Sequence, residues 1–252
     1  MRKSAELQTY DLSLLNCSLE KWSRSAALRT VYADIFAEMR AHLVSGNILE
    51  VGSGIGMARA YFPGLVTSDV VATEFVDLAV SAYSVPEQNW NNIIAIDMLH
   101  HLQEPLRFLE SAAKALAPGG RIVLAEPAGT WWGCHFYRWF HHEPCRPNDV
   151  QPPFSFKSDA DGGFANMGIG YALFEREREV TAGLLKSRQL NLVRVGYRDF
   201  LAYPATGGFS RSALFPANVM RALLAVERMV PQFVMRRLGL RMIVVLEKGR
   251  SA

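Results

Sequence analysis

No stretch of this 252-residue chain approaches the roughly 20 consecutive apolar residues that a membrane-spanning helix needs. Met1-Arg2-Lys3 runs into polar residues rather than an apolar segment, which argues against a secretory signal. Cysteine is scarce: Cys17, Cys134 and Cys145 contain no CxxC pair, which does not suggest a disulfide framework, and a reducing cytoplasm is expected. Neither sign of charge dominates. A net charge of +3 is too small to argue for a nucleic-acid partner. There is no internal repeat and no low-complexity segment, so repeat architectures drop out as well. What remains, half apolar and one fifth charged, suits a single globular domain with a sizeable core.

The informative stretch is Asn47 to Gly56, Asn-Ile-Leu-Glu-Val-Gly-Ser-Gly-Ile-Gly. Ile48–Val51 reads as a buried strand, and glycines at 52, 54 and 56 follow at once. Glycine lets such a turn take unusual dihedrals and lets a ligand approach the backbone, and a strand–turn–helix unit presents free N–H groups at a ligand site. Before it, Val31, Ile35, Met39 and Leu43 recur at helical spacing. Strands are expected at 65–69, 76–80, 92–98, 121–127, 191–200 and 241–247. Helices are expected from Pro105 to a stop at Pro118-Gly119-Gly120, over Trp131–His142, at 172–187 and across 216–238. Residues 159–170 read as a mobile glycine-rich loop. The alternation implies βαβ units and a mostly parallel sheet. Within the one domain, 1–45 reads as a helical extension, 46–127 as the cofactor-binding core, 128–190 as a lid or substrate insertion and 191–252 as C-terminal strands with a basic helical region. The polar segment 1–26, with Leu12, Leu14, Leu15, Leu19 and Trp22 as anchors, is expected to cover the cofactor cleft.

Two cofactors compete for the glycine turn. A dinucleotide fingerprint wants a small residue where Met57 stands, which counts against a nicotinamide-dependent oxidoreductase. Leu-Glu-Val-Gly-Ser-Gly-Ile-Gly, then Asp97-Met98-Leu99-His100-His101-Leu102, then Leu116-Ala117-Pro118-Gly119-Gly120-Arg121 resembles the class I S-adenosylmethionine-dependent methyltransferases in order and separation across about residues 46–127. The resemblance implies a seven-stranded, Rossmann-like sheet flanked by helices, with the last strand antiparallel and S-adenosyl-L-methionine as cofactor. It also implies that Glu50 holds the methionine amino group and that Gly52, Ser53, Gly54 and Gly56 form the turn under the methionine portion. Asp69, with Glu74 as rival, would accept the ribose hydroxyls, and Asp97 and Met98 would lie near the methyl group. Where the family often has Asp-Ala beside the adenine, this chain has Ser81-Ala82, so only Ala82 is carried over, as a backbone contact.

On the substrate side, methyl transfer to a hydroxyl needs a proton acceptor, and histidine is the usual one. His100 and His101 follow the fourth strand, and His101 is the favoured base; the competing reading has both capping the next helix. Trp131, Trp132, His135, Tyr137, His141 and His142 lie just past the fifth strand and could wall a small-molecule pocket. Cys134, His135, His141, His142 and Cys145 match no zinc spacing, so no metal is expected. From Arg211 to Arg250 there are eight basic residues and two acidic ones, Glu227 and Glu247, interleaved with apolar side chains. That pattern suits peripheral contact with an anionic membrane at the inner face as well as a packed helix with a basic rim. The expected function is methylation of a small molecule, at oxygen, on a saccharide, lipid-linked or natural-product acceptor. The competing class is a non-catalytic protein that keeps the fold for binding a partner.

Overall fold

The computed structural model describes residues 13, 15–157 and 163–250. The anchors Leu12 and Leu14, and part of the loop read at 159–170, lie outside the described residues. Seven strands form one sheet: β1 Ile48–Val51, β2 Leu65–Asp69, β3 Leu78–Ala79, β4 Trp90–Ile96, β5 Leu116–Pro127, β6 Leu190–Arg198 and β7 Arg241–Lys248. Their order is β3-β2-β1-β4-β5-β7-β6. β7 runs antiparallel to both its neighbours, and the pairings among β1 to β5 are parallel. The chain leaves β1 in one direction to β2 and returns on the other side to β4. The crevice for a ligand in such a sheet opens at that reversal, beyond the carboxyl ends of the strands.

Period-two alternation explains why the sheet is covered on both faces. Leu49 and Val51, Ile93 and Ala95, Ile122 and Leu124, and Met242, Val244 and Leu246 enter one core. That core also takes Leu106, Phe108 and Leu109 of helix α2 (Pro105–Ala115) and the residues of a helical run beginning at Ile169. The alternate residues Ile94 and Ile96, Val123 and Ala125, and Ile243 and Val245 enter the other core, against helix α1 (Ala26–Ala41). Ser25 caps α1 by accepting the Leu28 N–H at 3.2 Å, and Val31, Tyr32, Ile35, Phe36 and Met39 form its buried stripe.

Several expected boundaries shift for identifiable reasons. β3 shrinks to two residues because β2 and β3 pair only through Ser68–Leu78 and Asp69–Ala79. α2 ends at Ala115, earlier than Pro118-Gly119-Gly120, because Leu116 already pairs with Trp90; a register shift between Trp90 and Asn92 absorbs the glycines into β5. The region 216–238 divides into helices Ala217–Arg228 and Gln232–Leu238, since Pro231 cannot continue the first. Trp131–Phe140 forms the expected aromatic helix, here α3.

The end of β6 is tied to α1 by buried charge. Arg198 donates to Asp199 at 2.9 Å, to Asp34 at 2.6 Å and to Glu38 at 2.7 Å, and Asp199 is fully buried. Removing the cation strands those carboxylates. Arg198→Ala should cost about 3–5 kcal/mol of unfolding free energy, read as a lowered urea midpoint with an unchanged m-value.

Candidate functional site

The glycine turn is built by β1 and β2 together. The N–H groups of Gly52 and Ser53 both donate to the Ser68 carbonyl, at 2.8 and 2.9 Å. Ser53 Oγ accepts from the Ser68 N–H at 3.0 Å, so this side chain serves the scaffold and is not free for a ligand. Gly52, Gly54 and Gly56 all have positive φ, at 75°, 52° and 65°. Their missing β-carbons have different causes. A Cβ on Gly52 would lie 2.5 Å from Met98 Cγ, so that glycine exists to admit Met98. Among the described residues, one on Gly54 would meet only Leu15 Cδ2, at 3.7 Å. Gly54 thus has room for van der Waals contact with Leu15, which belongs to a helical segment (15–24).

Asp69, at the end of β2, accepts the Gly54 N–H on Oδ2 at 2.9 Å. Its other oxygen accepts a long approach from the Val71 N–H, at 3.4 Å. Glu74 is exposed in the following loop, so the rival assignment loses its place on the strand. Glu50 is 2 % exposed, and its Oε2 has no hydrogen-bond partner among the described residues. Burial pushes its carboxyl up to about 8. A buried carboxyl with one oxygen unpartnered beside the glycine turn fits a cationic ammonium group, which is what the amino end of S-adenosylmethionine offers. Ser81 does not reach into the turn: its Oγ accepts the Tyr83 N–H at 3.2 Å and caps a short helical turn that starts at Ala82.

Across the crevice, β4 ends at a sharp exit. Asp97 has φ 52°, and its carboxylate is already engaged. Arg241 Nη2 donates to Oδ2 at 2.6 Å and the Tyr32 hydroxyl at 2.9 Å. Burial alone would raise the Asp97 pKa, but the Arg241 guanidinium holds it below its usual range. The expected freedom of Asp97 to face the methyl group is therefore restricted to Oδ1, which is unpartnered among the described residues. Arg241, counted in the sequence with the basic surface, is instead buried at the start of β7, its guanidinium 4.5 Å from the centre of the Tyr203 ring.

The histidines gather around two glutamates, Glu126 and Glu143. Glu126, fully buried near the end of β5, accepts the N–H groups of Met98 and Leu99 at 2.9 and 2.8 Å and contacts His100 Nδ1 at 2.8 Å. Glu143, past α3, stands 3.6 Å from His100 Nε2 and 3.8 Å from His101 Nε2. It is 3.8 Å from His141 Nδ1 and 3.7 Å from His142 Nε2. Desolvation opposes its charge, yet the surrounding imidazoles hold Glu143 down to about 2. Burial lowers the pKa of the half-exposed His101, and the adjacent His100 lowers it further. Asn166 fixes the segment that carries Glu143: its Oδ1 accepts from Arg146 N–H and its Nδ2 donates to the Arg146 carbonyl, while its own N–H donates to His100 O.

The aromatic wall expected on α3 is divided by helical period. Gly133 and Tyr137, four residues apart, face inward; Tyr137 is buried and its hydroxyl donates to the Leu240 carbonyl, so it is core rather than pocket lining. Trp131 and Trp139 are exposed on the opposite side, with His135 between them in tilted contact with Trp131 and edge-on contact with Trp139. Trp132 packs beside Tyr137 and Met167. Of the expected substrate residues, only His141 and His142 join the His100–Glu143 cluster. A lone acidic residue near a strand end (Glu126) and a lone arginine opening an apolar strand (Arg241) were the available signals for what was missed.

A family model described as a methyltransferase domain matches residues 24–160, more than half of the chain. No curated protein matches the sequence. Among solved structures, a Thermotoga maritima S-adenosylmethionine-dependent methyltransferase, described as a possible histamine N-methyltransferase, is similar at 12% identity and a TM-score of 0.54, covering 89% of this chain and 91% of that one. An S-adenosylmethionine-dependent methyltransferase from Archaeoglobus fulgidus is similar at 11% identity and a TM-score of 0.51, covering 87% and 94%. A Burkholderia thailandensis 1,6-didemethyltoxoflavin N1-methyltransferase, solved with S-adenosylhomocysteine, is 16% identical with a TM-score of 0.49, covering 98% and 89%. With its 3-2-1-4-5-7-6 sheet and glycine turn, the chain belongs to the class I S-adenosylmethionine-dependent methyltransferases. Its cofactor is S-adenosyl-L-methionine, and the nicotinamide reading is set aside.

Glu50 supplies a two-sided test. Its folded pKa of about 8 stands above the usual 4.5, so the folded protein holds an extra proton between those values. Stability is then greatest below pH 4.5 with respect to this group and is lost as pH rises through 8. Glu50→Gln should raise the melting temperature of the ligand-free protein at pH 8.5, where the native carboxylate is charged, and leave it little changed near pH 5. The same variant should lose the thermal shift given by S-adenosylhomocysteine. Scanning fluorimetry at about those two pH values, with and without ligand, checks both arms.

Proposed function

We propose that the enzyme methylates a hydroxyl group of a small acceptor, and that the acceptor enters between the glycine turn and the His100–His101–Glu143 cluster. The observation that carries this reading is the concentration of imidazoles about one carboxylate at the carboxyl end of β4, next to Asp97 and Met98. S-adenosylmethionine, when bound, supplies an electrophilic methyl group on a sulfonium with a neutral thioether as leaving group. The chain's own task is then placement and proton removal. Glu50 holds the ammonium, Asp69 the ribose hydroxyls, Gly54 the methionine backbone, and Ala82 a backbone contact to the adenine. Alignment of nucleophile and electrophile accounts for up to about 7–11 kcal/mol in favourable systems.

His101 takes the acceptor's proton in this reading. It is the more exposed of the pair, while His100 is buried and held by Glu126. His100 thus positions the cluster. His101→Ala should lower kcat about 10²–10⁴-fold with little change in S-adenosylhomocysteine affinity, measured by steady-state kinetics and calorimetry on a panel of sugar, phenol and polyketide-type acceptors. An unchanged kcat on an accepted substrate would remove His101 from the chemistry. A general failure of S-adenosylhomocysteine binding in folded protein would instead favour the non-catalytic reading.

A lipophilic or lipid-linked acceptor is supported by the outer face of the C-terminal region. Leu214, Phe215, Met229 and Phe233 are each about half or more exposed. Arg221 and Arg237 are exposed nearby in sequence, and Glu227, the acidic residue of that stretch, is buried. Among the described residues no helix is long and apolar enough to cross a membrane, so contact would be peripheral. The protein should float with phosphatidylglycerol-containing vesicles and not with phosphatidylcholine vesicles, and Phe215→Ser with Phe233→Ser should release it. Absence from anionic vesicles would leave a water-soluble acceptor as the better reading.

A further inference from the structure

We propose that His100, His101 and Glu143 form a binding site for one divalent transition-metal ion of the zinc type, placed to receive the acceptor's hydroxyl oxygen. The proposal rests on the reading of the cluster as the acceptor end of the active site, and it changes how the proton is removed there.

Distance is the first argument. A carboxylate and an imidazole that bond directly approach to about 2.7–3.2 Å. Here Glu143 lies 3.6 Å from His100 Nε2 and 3.8 Å from His101 Nε2, beyond direct hydrogen bonding. Zinc–nitrogen and zinc–oxygen bonds of about 2.0–2.2 Å on tetrahedral corners place the ligand atoms about 3.4 Å from one another. The two observed separations, made by different carboxylate oxygens (Oε2 to His100 and Oε1 to His101), are a few tenths of an ångström longer than those edges. Three ligand atoms, one from each residue, lie within 4.8 Å of one another.

Orientation is the second argument, and it is independent of the first. His100 is 3 % exposed, and its Nδ1 is engaged by the fully buried Glu126 at 2.8 Å. That contact leaves Nε2 as the atom turned toward Glu143. A carboxylate on the far nitrogen of a histidine is the usual outer support of a metal-ligating imidazole, fixing the ring and raising its basicity. Glu126 is itself held by the N–H groups of Met98 and Leu99. Asn166 braces the other side, joining the Arg146 backbone to His100 O and so setting Glu143 against the pair. Two histidines and one carboxylate make a mixed nitrogen–oxygen set that suits zinc, iron(II) or cobalt(II) more than magnesium or calcium, with a position left for a substrate oxygen. Sequence spacing could not disclose the set, because His100-His101 and Glu143 come from separate loops.

Function follows from the ion's charge. A cation at this point lowers the pKa of the acceptor hydroxyl, whose proton leaves to solvent. The oxygen's electron pair then forms the bond to the methyl carbon as the carbon–sulfur pair withdraws onto sulfur. His101 is a ligand in the loaded protein rather than the proton acceptor.

The test is calorimetry with zinc chloride on chelator-treated full-length protein saturated with S-adenosylhomocysteine, with cobalt(II) absorption as a second readout. One ion per chain is expected, with tetrahedral-type visible bands for cobalt. Glu143→Gln and His100→Ala should each abolish binding, and Glu126→Gln should weaken it about 10–100-fold. His135→Ala, which alters a histidine outside the cluster, should bind as the native protein does. Because His100 is buried, its variant is judged only if S-adenosylhomocysteine still stabilises it; the partly exposed Glu143 variant carries the test otherwise. Absence of zinc binding, or binding indifferent to Glu143→Gln, would overturn the proposal. Retained S-adenosylhomocysteine affinity and full methylation after chelation would overturn it too, while leaving the methyltransferase reading and the His101 base in place.

Discussion

The buried carboxylate of Glu126 is the interaction on which the reactive end of this protein depends. It has no solvent, so its charge must be met by protein donors. It meets them with the N–H groups of Met98 and Leu99 and with His100. Those three donors are consecutive in the chain, and holding them together forces β4 to end sharply. Asp97 absorbs the bend at φ 52°. Met98 is thereby pressed into the space left by the missing side chain of Gly52. One carboxylate on β5 thus fixes the exit of β4, the packing against the glycine turn of β1 and the orientation of the histidine pair.

A second buried set closes the same edge from the other side. Arg241 at the head of β7 binds Asp97, and Tyr32 of α1 donates to the same oxygen. The guanidinium also lies against the Tyr203 ring. Buried ion pairs contribute little net stability but penalise any arrangement that separates them. In this protein the pair joins α1, β4 and β7 at the carboxyl edge of the sheet. The glycine turn remains comparatively unburdened: Glu50 keeps an unpartnered oxygen, and a Cβ on Gly54 would make only van der Waals contact with Leu15 among the described residues.

How far the chain was legible differs from residue to residue. β2 ended at Asp69 as read, because Thr-Ser-Asp after two apolar residues marks both the strand and its exit. The turn after β1 that carries Gly54 was legible because a strand followed by glycines carries its geometry locally. Ser53 and Gly52 were assigned to the turn correctly, but their partners, Ser68 and Met98, come from other strands. Tyr137 was read as pocket lining and is core, since an aromatic residue on an aromatic helix offers no sign of which face packs. Arg241 was read with a basic surface and lies inside, because only the pairing of β7 with β5 shows what stands beside it.

Sequence by itself determined the βαβ order, the two-faced apolar alternation that buries the sheet, the cofactor turn and the family. Each is encoded within a few neighbouring residues by backbone preference and side-chain period. Tertiary structure alone decided which polar groups meet: Glu126 with His100, Glu143 with both histidines, Arg241 with Asp97 and Tyr32. Those contacts join residues 26 to 144 positions apart, or further. Their energies arise from shared burial and charge, which no local pattern in the chain records.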